Sequence, residues 1–508
     1  MIVPLRGFGR ATDGAEALRA ALAVLADGGP PRGTIYLEPG RWTLRSSVVV
    51  PEQVTLWLAP GAVLQPAEGV ELRLEGALRA PPSRIFALRP ETRDAFFGRA
   101  PAPGTVSFGG RRPRVFRPEW WGVGLRTEAP EDAWGDADAL EACILAALGA
   151  TEAGVAPPEV YLGGRYDLQR TVRLSRRTGQ ASGLRLRGNR GSSAVTTVSW
   201  KGDGGSATAM LEVDGRLEVA LEDLVLDARR TVGACVRVRR RVEAEGAPAA
   251  RSLTIRRCAL LGATANALDL DAPEGVPGAF SGVVVEGCVI SPALPRAPLG
   301  KAAGVAVGAA VRVSAAWGGP VALTGSHFTG PAASLLDLGG AQVSVLGCGF
   351  FNSSSLDRSS ERPRGVDVLH RATSLLASAS LSLTHCESYS PCFLYSAPVP
   401  GREEVDGVRG NVVLVAIVQA PQAPVLLHGE PTTVWGSITW SAFLRHGVMF
   451  PTLTLLGCAF RWDVELSSGA PTVLDLGSRF GAAGGFRHML DAIGIVRTAE
   501  QRDSGTSM

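Results

Sequence analysis

The sequence repeats one short phrase: an apolar residue, any residue, a second apolar residue, two further residues and then cysteine. The copies that end in cysteine end at Cys258, Cys288, Cys348, Cys386 and Cys458. Two further copies have serine in that position, at Ser326 and Ser478. Alternation with a period of two is typical of a β-strand. Because the strand returns at intervals of about twenty to about forty residues, the chain is predicted to form a β-solenoid.

A second phrase, a charged residue between two apolar residues, falls between copies of the first. Its copies are Val236–Val238, Leu268–Leu270, Val311–Val313, Leu336–Leu338 and Val366–Val368. If these strands stack in parallel, the flanking Val and Leu side chains point inward and the central side chain points out. A spacing of about 4.8 Å between strands then places the central residues in one outer row, where opposite charges are mildly stabilising. That row is Arg237, Asp269, Arg312, Asp337 and Asp367.

Composition excludes several functional classes. The 508 residues are 45% hydrophobic and 19% charged, with a formal net charge of +3, and no basic block indicates nucleic-acid binding. No apolar run reaches the roughly 18 residues of a membrane helix. The N-terminus lacks the charged and apolar regions of a signal peptide. We therefore expect a soluble protein that stays in the cytoplasm, leaves by a signal-free route or belongs to a particle released by lysis.

The cysteine positions favour a structural role. Five of the eight cysteines take the same position in successive coils, which predicts a buried ladder of thiols. A disulfide framework suits short secreted chains rather than this long one. No two cysteines have the spacing of a zinc finger. We therefore expect no metal site and no cofactor.

One plan occurs twice near the N-terminus. Asp13-Gly14 precedes a predicted amphipathic helix over 15–25 and a strand over 33–37, and Asp136-Ala137 precedes a helix to Leu148 and a strand from Glu159. Such helices can cap the open end of a solenoid. We expect a small cap with a short β-helix over 1–115, a main parallel β-helix over 116–480, and a C-terminal helical cap with a frayed tail over 481–508.

Two of these stretches carry a family resemblance. Phe8-Gly9, Asp13-Gly14-Ala15 and the stretch 33–40 (GTIYLEPG) resemble the opening of pectate-lyase-like right-handed parallel β-helix proteins. Pro118-Glu119-Trp120-Trp121-Gly122 is similar to the start of the main helix in many of them. The second opening departs from the usual Asp-rich phrase, with Gly135-Asp136-Ala137-Asp138.

The resemblance covers most of residues 1–480 and implies the pectin lyase fold. Phage tailspikes and polysaccharide-active enzymes share this pattern, so the resemblance also implies a polysaccharide or other glycan as partner, a virion component and a homotrimer. It does not imply one activity, because the fold carries lyases, hydrolases, non-catalytic binders and structural spikes.

Two pairs of carboxylates are candidates for catalysis. Aligned by the apolar pair, Asp227 and Glu286 lie two coils apart, about 9–10 Å, with Arg256 between them as a candidate substrate-binding residue. That separation is near the upper end for an inverting glycoside hydrolase. Asp269 and Asp337, separated by Arg312, form the second candidate pair, and Asp271 can join Asp269 at the edge of the coil. The alternative for both is a surface charge ladder.

Other chemistry is weakly supported by the sequence. The galacturonan hydrolase motifs, Asn-Thr-Asp with a paired-Asp strand and Gly-His-Gly, are missing, as is the Asp-His phrase of calcium-dependent pectate lyases. His385 takes a position that is glycine in three other coils, which favours packing at a corner. Trp317, Trp435 and Trp440 lie near turns, where an exposed indole face suits stacking on a sugar ring, and the alternative is burial in the core.

Two functions follow from these observations. The first is a carbohydrate-engaging, tailspike-like protein that acts as a polysaccharide depolymerase, by hydrolysis or by a lyase reaction. The second is a non-catalytic structural or adhesive component of a particle.

Overall fold

We describe the fold from a computed structural model. The structure describes residues 1–8, 13–87, 105–110, 113–123, 135–150, 156–175, 182–189, 195–203, 209–239, 252–272, 282–293, 308–314, 317–339, 342–354, 365–371, 379–388, 392–397 and the strands beyond residue 409. Side chains are described as far as residue 369 and over 381–388.

The chain divides into two compact units. The first comprises Met1–Gly202 and Leu217–Leu224, and the second comprises Asp203–Arg216 and Val225–Met508. The boundaries expected at residues 115 and 480 stay predictions, and the expected C-terminal helix lies outside the described residues. Among the described residues, no helix has both the length and the apolar character needed to cross a bilayer.

The first unit opens with one helix and a set of short strands. These are β1 (Ile2–Pro4), α1 (Gly14–Ala26), β2 (Gly33–Leu37), β3 (Gly40–Leu44), β4 (Val48–Val50), β5 (Val54–Leu58), β6 (Ala62–Pro66), β7 (Glu71–Leu74), β8 (Leu78–Arg79), β9 (Thr105–Phe108) and β10 (Val115–Phe116). Parallel pairing joins β1, β2, β5 and β8, then β3 with β6, and β4, β7 and β9. The predicted amphipathic helix is confirmed: α1 buries Leu18, Ala21 and Leu25.

The plan then repeats. A 3₁₀ turn at Pro118–Trp121 and helix α2 (Asp136–Gly149) come before the next strands. These are β11 (Glu159–Tyr161), β12 (Arg165–Leu168), β13 (Val172–Leu174), β14 (Gly183–Arg187), β15 (Thr197–Trp200), β16 (Ala209–Asp214), which belongs to the second unit, and β17 (Glu218–Glu222). Within the first unit β10, β11, β14 and β17 pair in parallel, as do β12 and β15.

An aspartate at the start of each helix ties that helix to a later strand. Asp13 Oδ1 accepts hydrogen bonds from the amides of Ala15 and Arg45, both at 2.9 Å. Asp136 Oδ2 accepts one from the amide of Asp167 at 2.7 Å. Arg45, directly after β3, and Asp167, within β12, lie 32 and 31 residues after their aspartates. The repeated aspartate therefore orients each helix against the strands that follow it.

A cluster of five aromatic rings joins the short strands to the 3₁₀ turn in the first unit. Its members are Phe86, Phe108, Phe116, Trp120 and Trp121, with neighbouring ring centroids 5.1 to 6.4 Å apart. Trp120 Nε1 also donates to the carbonyl of Pro81 at 3.1 Å. Trp120 and Trp121 are both buried, so their rings serve in packing.

The second unit consists of β16 and the strands that follow β17. Those with described side chains are β18 (Val225–Asp227), β19 (Ala234–Arg239), β20 (Leu253–Arg256), β21 (Ala259–Leu261), β22 (Leu268–Asp271), β23 (Val283–Glu286), β24 (Val289–Ser291), β25 (Ala309–Val313), β26 (Val321–Thr324), β27 (His327–Gly330), β28 (Ser334–Leu338), β29 (Gln342–Leu346), β30 (Gly349–Asn352), β31 (Val366–Arg371), β32 (Ala379–Thr384) and β33 (Glu387–Ser388).

Further strands continue the array. They are β34 (Cys392–Ala397), β35 (Gly410–Val415), β36 (Val418–Gln419), β37 (Val425–Leu426), β38 (Leu453–Leu456), β39 (Ala459–Phe460), β40 (Val464–Glu465), β41 (Val473–Leu476), β42 (Arg479–Phe480) and β43 (Val496–Arg497).

Three parallel stacks run through the second unit, and each coil as far as β34 contributes one strand to each stack. Stack A contains β20, β23, β26, β29 and β32, stack B contains β18, β21, β24, β27, β30 and β33, and stack C contains β16, β19, β22, β25, β28 and β31, and all three continue into later strands. The predicted solenoid of parallel coils with short capping helices is confirmed.

The core consists of columns of like side chains, one from each coil. These columns are Ile255, Val285, Leu323, Val345 and Leu383 in stack A; Leu260, Ile290, Phe328 and Phe350 in stack B; and Val236, Leu268, Val311 and Leu336 in stack C. Each is at most 1% exposed. Phe328 and Phe350 stack with centroids 5.3 Å apart.

The cysteines of the first phrase form the predicted buried ladder as far as Cys386. Cys258, Cys288, Cys348 and Cys386 are buried and free, and Cys458 lies outside the described residues. The amide of Cys258 donates to Cys288 Sγ at 3.4 Å, and the amide of Cys288 donates to the hydroxyl of Ser326 at 3.1 Å. Burial raises the pKa of Cys348 to about 12. These thiols are therefore protonated packing groups rather than nucleophiles.

In the described copies of the first phrase, which end between Cys258 and Cys386, the residue before the cysteine or serine forms a left-handed corner. Gly287, Gly325 and Gly347 have φ values of 60°, 53° and 62°, and the corresponding Arg257 and His385 have φ values of 52° and 51°. Glycine adopts this conformation without steric cost, whereas other residues pay for it. The corner explains both the frequent glycine of the phrase and the exposed ring of His385.

We predict that Gly347→Val lowers the free energy of unfolding by about 1–2 kcal/mol, because valine is strained at positive φ. A Cβ at Gly347 meets no atom within 4 Å, so the backbone alone produces the loss. The reverse change, His385→Gly, should alter stability by less than about 1 kcal/mol, since relief of strain offsets the greater freedom of the unfolded chain. Equilibrium denaturation measures both, and equal losses would contradict the corner assignment.

Candidate functional site

The charged residues of the second phrase form an outer row on stack C. Arg237 lies opposite Asp269, Asp269 opposite Arg312, and Arg312 opposite Asp337. Glu212 on β16 precedes them, opposite Arg237. The predicted row of alternating charge is therefore confirmed for four residues and begins one strand earlier than expected.

The fifth predicted member, Asp367, was wrongly placed. Asp337 lies opposite Leu369, and Asp367 is fully buried, with the hydroxyl of Ser388 donating to its Oδ2 at 2.6 Å. The register places Asp367 opposite Leu335, a buried position at the beginning of the strand. The phrase is thus shifted by two residues in this coil, a change that preserves the alternation of the sequence pattern and hides the slip.

Asp269 and Asp271 are brought together by an arginine. Asp269 Oδ2 lies 3.0 Å from Arg237 Nε, and its Oδ1 lies 3.3 Å from Arg312 Nη1. Arg312 Nη2 lies 3.5 Å from Asp271 Oδ1, so one guanidinium bridges both carboxylates. The side chain of Asp269 is 2% exposed and that of Asp271 is 39% exposed. Only Asp271 and Arg312 therefore present this cluster to a ligand.

Asp269, the buried carboxylate of this cluster, has a structural role. Both oxygens of Asp269 are engaged by arginines, and Asn266 Nδ2 lies 3.5 Å from Oδ1. A general acid or base needs an oxygen within reach of substrate. Asp269 therefore serves to hold Arg237 and Arg312 in place.

Arg256 and Glu286 are register partners on the outer face of stack A. Their side chains form an ion pair of 2.9 Å between Arg256 Nε and Glu286 Oε2, with 45% and 52% exposure. An exposed pair of this kind contributes little to stability. Both side chains are therefore accessible to a ligand.

The prediction that Asp227 shares their row is wrong. Asp227 ends β18 in stack B, opposite Leu261, and its Oδ1 accepts a hydrogen bond from the amide of Arg229 at 2.9 Å. The physical reason lies in the preceding residues, because Leu224 takes the position in the phrase that cysteine takes in later coils. Asp227 consequently follows the corner instead of preceding it, and it caps a turn.

The tryptophans do not supply an exposed indole in the described part of the chain beyond residue 225. Trp317 is 2% exposed, so the expectation that it stacks on sugar is wrong. Its position before Gly318-Gly319 predicted an exposed turn. The indole ring is a large apolar group, however, and gains free energy when it is buried. Trp435 and Trp440 lie outside the described residues.

A group of residues on the outer face of stack B was missed. His327, Gly349 and Glu387 occupy one outward row, with Gly349 between the other two. Phe351, two residues after Gly349 on the same strand, is 53% exposed and pairs with Thr329. The signal in the sequence is the doublet Phe350-Phe351, since alternation along a strand sends one of two adjacent side chains outward.

Within the described residues, no three His, Cys, Asp or Glu side chains are placed to hold a metal ion. The accessible polar groups described above lie on three outer faces: Asp271 and Arg312 on stack C, Arg256 and Glu286 on stack A, and His327 and Glu387 on stack B. The arrangement provides several small polar surfaces supported by a rigid core.

The chain was compared with known proteins. No protein-family model matches it, and no curated protein matches its sequence. It is similar to the structure of PfbA, a surface adhesin of Streptococcus pneumoniae, with 11% identity over 82% of this chain and 91% of that one and a TM-score of 0.35. It is also similar to the A-module of a mannuronan C-5 epimerase from Azotobacter vinelandii, with 10% identity over 94% and 99% of the two chains and a TM-score of 0.24. Both TM-scores are low.

We predict that Asp269→Ala lowers the free energy of unfolding by about 3 kcal/mol or more, because it leaves Arg237 charged in a buried position. The matched variant Asp271→Ala should cost less than about 1 kcal/mol, since its ion pair is exposed. Denaturant titration of both variants measures the difference. Similar small losses would contradict a structural role for Asp269.

Proposed function

We propose that the protein binds a polysaccharide along the outer faces of its second unit, as a tailspike-like β-helix. The observation that supports this is the register of stack A, which aligns outward side chains over successive coils. One row begins with the Arg256–Glu286 ion pair and continues with the hydroxyl groups of Thr324 and Thr384, with Leu346 between them. A second outward row has hydroxyl groups at Thr254, Ser344 and Ser382, with the apolar Val284 and Ala322 between the first two. A polymer of repeating units can meet such repeated hydrogen-bonding groups along its length.

Binding without cleavage is the function that the geometry favours. The proposed carboxylates Asp227, Glu286 and Asp269 belong to three different stacks. A glycosidase needs two carboxyl groups about 5–10 Å apart on either side of one bond. We therefore infer an adhesive or structural particle component.

One observation favours a depolymerase as second candidate. Asp269 and Asp271 lie two positions apart on one strand, about 6.6 Å between their Cα atoms, and Arg312 bridges them. In this case Asp271 would be the accessible acid or base, with Arg312 orienting the polymer.

The expected result is retention of at least one polysaccharide without shortening of its chains. The experiment incubates the protein with a panel of bacterial surface polysaccharides and measures retention by affinity electrophoresis and polymer size by gel filtration. Shortening that is lost in Asp271→Asn, with unchanged thermal stability, would establish the second candidate. The absence of retention across the panel would contradict both.

We further propose that the protein assembles as a homotrimer in a phage-like particle, from its resemblance to tailspikes. Light scattering should then give a mass three times that of the 53.0 kDa chain. A mass of 53.0 kDa at micromolar concentration would contradict the trimer and leave glycan binding open.

A further inference from the structure

Phe351 is an exposed aromatic ring on a rigid support. Its neighbours along the strand are both buried: Phe350 stacks on Phe328 at 5.3 Å, and Asn352 Nδ2 donates to the carbonyls of Ala332 at 3.0 Å and Val366 at 3.1 Å. Among the large hydrophobic residues described as exposed, Phe351 is the only aromatic one. The ring therefore offers a preorganised apolar surface to a ligand.

Gly349 has no side chain, which leaves room beside Phe351 for the imidazole of His327. Gly349 lies two residues before Phe351 on the same face, and its register partner is His327. A Cβ built on Gly349 would lie 2.9 Å from His327 Nδ1 and 3.4 Å from Cε1. The ring of His327 thus leans over the glycine, and an alanine there would displace it.

A carboxylate bounds the same gap on the opposite side. Glu387 is the other register partner of Gly349, and its side chain is exposed. His327 and Glu387 are therefore two strand spacings apart, about 10 Å between their Cα atoms. An aromatic face, a nitrogen donor or acceptor and a carboxylate acceptor converge on one outward patch.

We propose that Phe351, His327 and Glu387 form a subsite for one neutral hexopyranose unit of the bound polymer. The C–H face of a pyranose covers the phenyl ring, because both surfaces lose water on contact. The ring hydroxyls at the edge reach the imidazole and the carboxylate, which accept and donate hydrogen bonds. From β24 to β33, the described residues of the two rows that form this patch contain one carboxylate and no arginine or lysine, so we expect a neutral sugar to bind more tightly than a uronic acid.

This inference rests on the proposed binding of polysaccharide and adds the site and the class of sugar. The test is affinity electrophoresis in gels that contain either a neutral hexan, such as dextran or galactomannan, or polygalacturonate. We expect a neutral polymer to retard the native protein. Phe351→Ala should weaken that binding about tenfold or more. Phe351→Tyr should restore it, since the ring face is kept.

Two further variants separate this subsite from general surface effects. Gly349→Ala should weaken binding about threefold or more, because its Cβ moves the imidazole of His327 away from its position in the subsite while Phe351 and Glu387 are unchanged. Val49→Ala removes a 48% exposed apolar side chain from β4 of the first unit, outside the proposed binding faces, and should change binding less than about twofold. Thermal unfolding confirms that each variant folds, and Glu387→Gln replaces Phe351→Ala if that variant does not.

Several results would overturn the inference. Binding of a neutral polymer that is unchanged in Phe351→Ala, or binding of polygalacturonate alone, would refute the subsite while glycan binding stands. A lower mass of Phe351→Ala in light scattering, without loss of glycan binding, would assign the ring to contact with a second copy of the chain. Failure of the native protein to bind any polymer here and in the wider panel would remove the proposed function together with the subsite.

Discussion

In-register parallel hydrogen bonding between successive coils is the constraint on which the rest of the second unit depends. Each strand must align with the strand one coil earlier, so every inward or outward position is repeated about 4.8 Å along the axis. The environment of a side chain consequently depends on its neighbours in the column as much as on its neighbours in sequence. The stacked Phe328 and Phe350 and the ladder around Cys288 are direct results of this geometry.

The same constraint makes polar groups informative about register. Arg237 and Asp269 are nearly fully buried. If a strand of stack C paired with the strand two coils away instead of its neighbour, charges of the same sign would lie opposite each other. Buried charges tolerate such errors poorly, because an unpaired charge loses its hydration without compensation. The Ser388–Asp367 hydrogen bond satisfies a polar group in the core where the pattern slips by two residues. These contacts stabilise one register against its alternatives.

Function in such a fold depends on which outer face carries which groups. The core supports all three faces alike, so the fold alone does not select an activity. Carboxylates that appear close in a one-dimensional pattern are separated when a corner intervenes, as Asp227 is separated from Glu286. By contrast, His327 and Glu387 are far apart in sequence but flank one glycine in the structure. Rigid, repeated surfaces of this kind suit an extended polymer more than a small enclosed ligand.

The sequence by itself determined the solenoid, both capping helices, the cysteine ladder and four members of the charged row. These features follow from alternation and recurrence, which are local properties of the chain. Tertiary structure alone decided which stack received Asp227, that Asp367 turns inward, and that Trp317 is buried. The physical reason is that an apolar alternation looks the same before and after a corner, and after a slip of two residues. Only the hydrogen-bonded register between coils distinguishes these cases, and with them the residues that a ligand can reach.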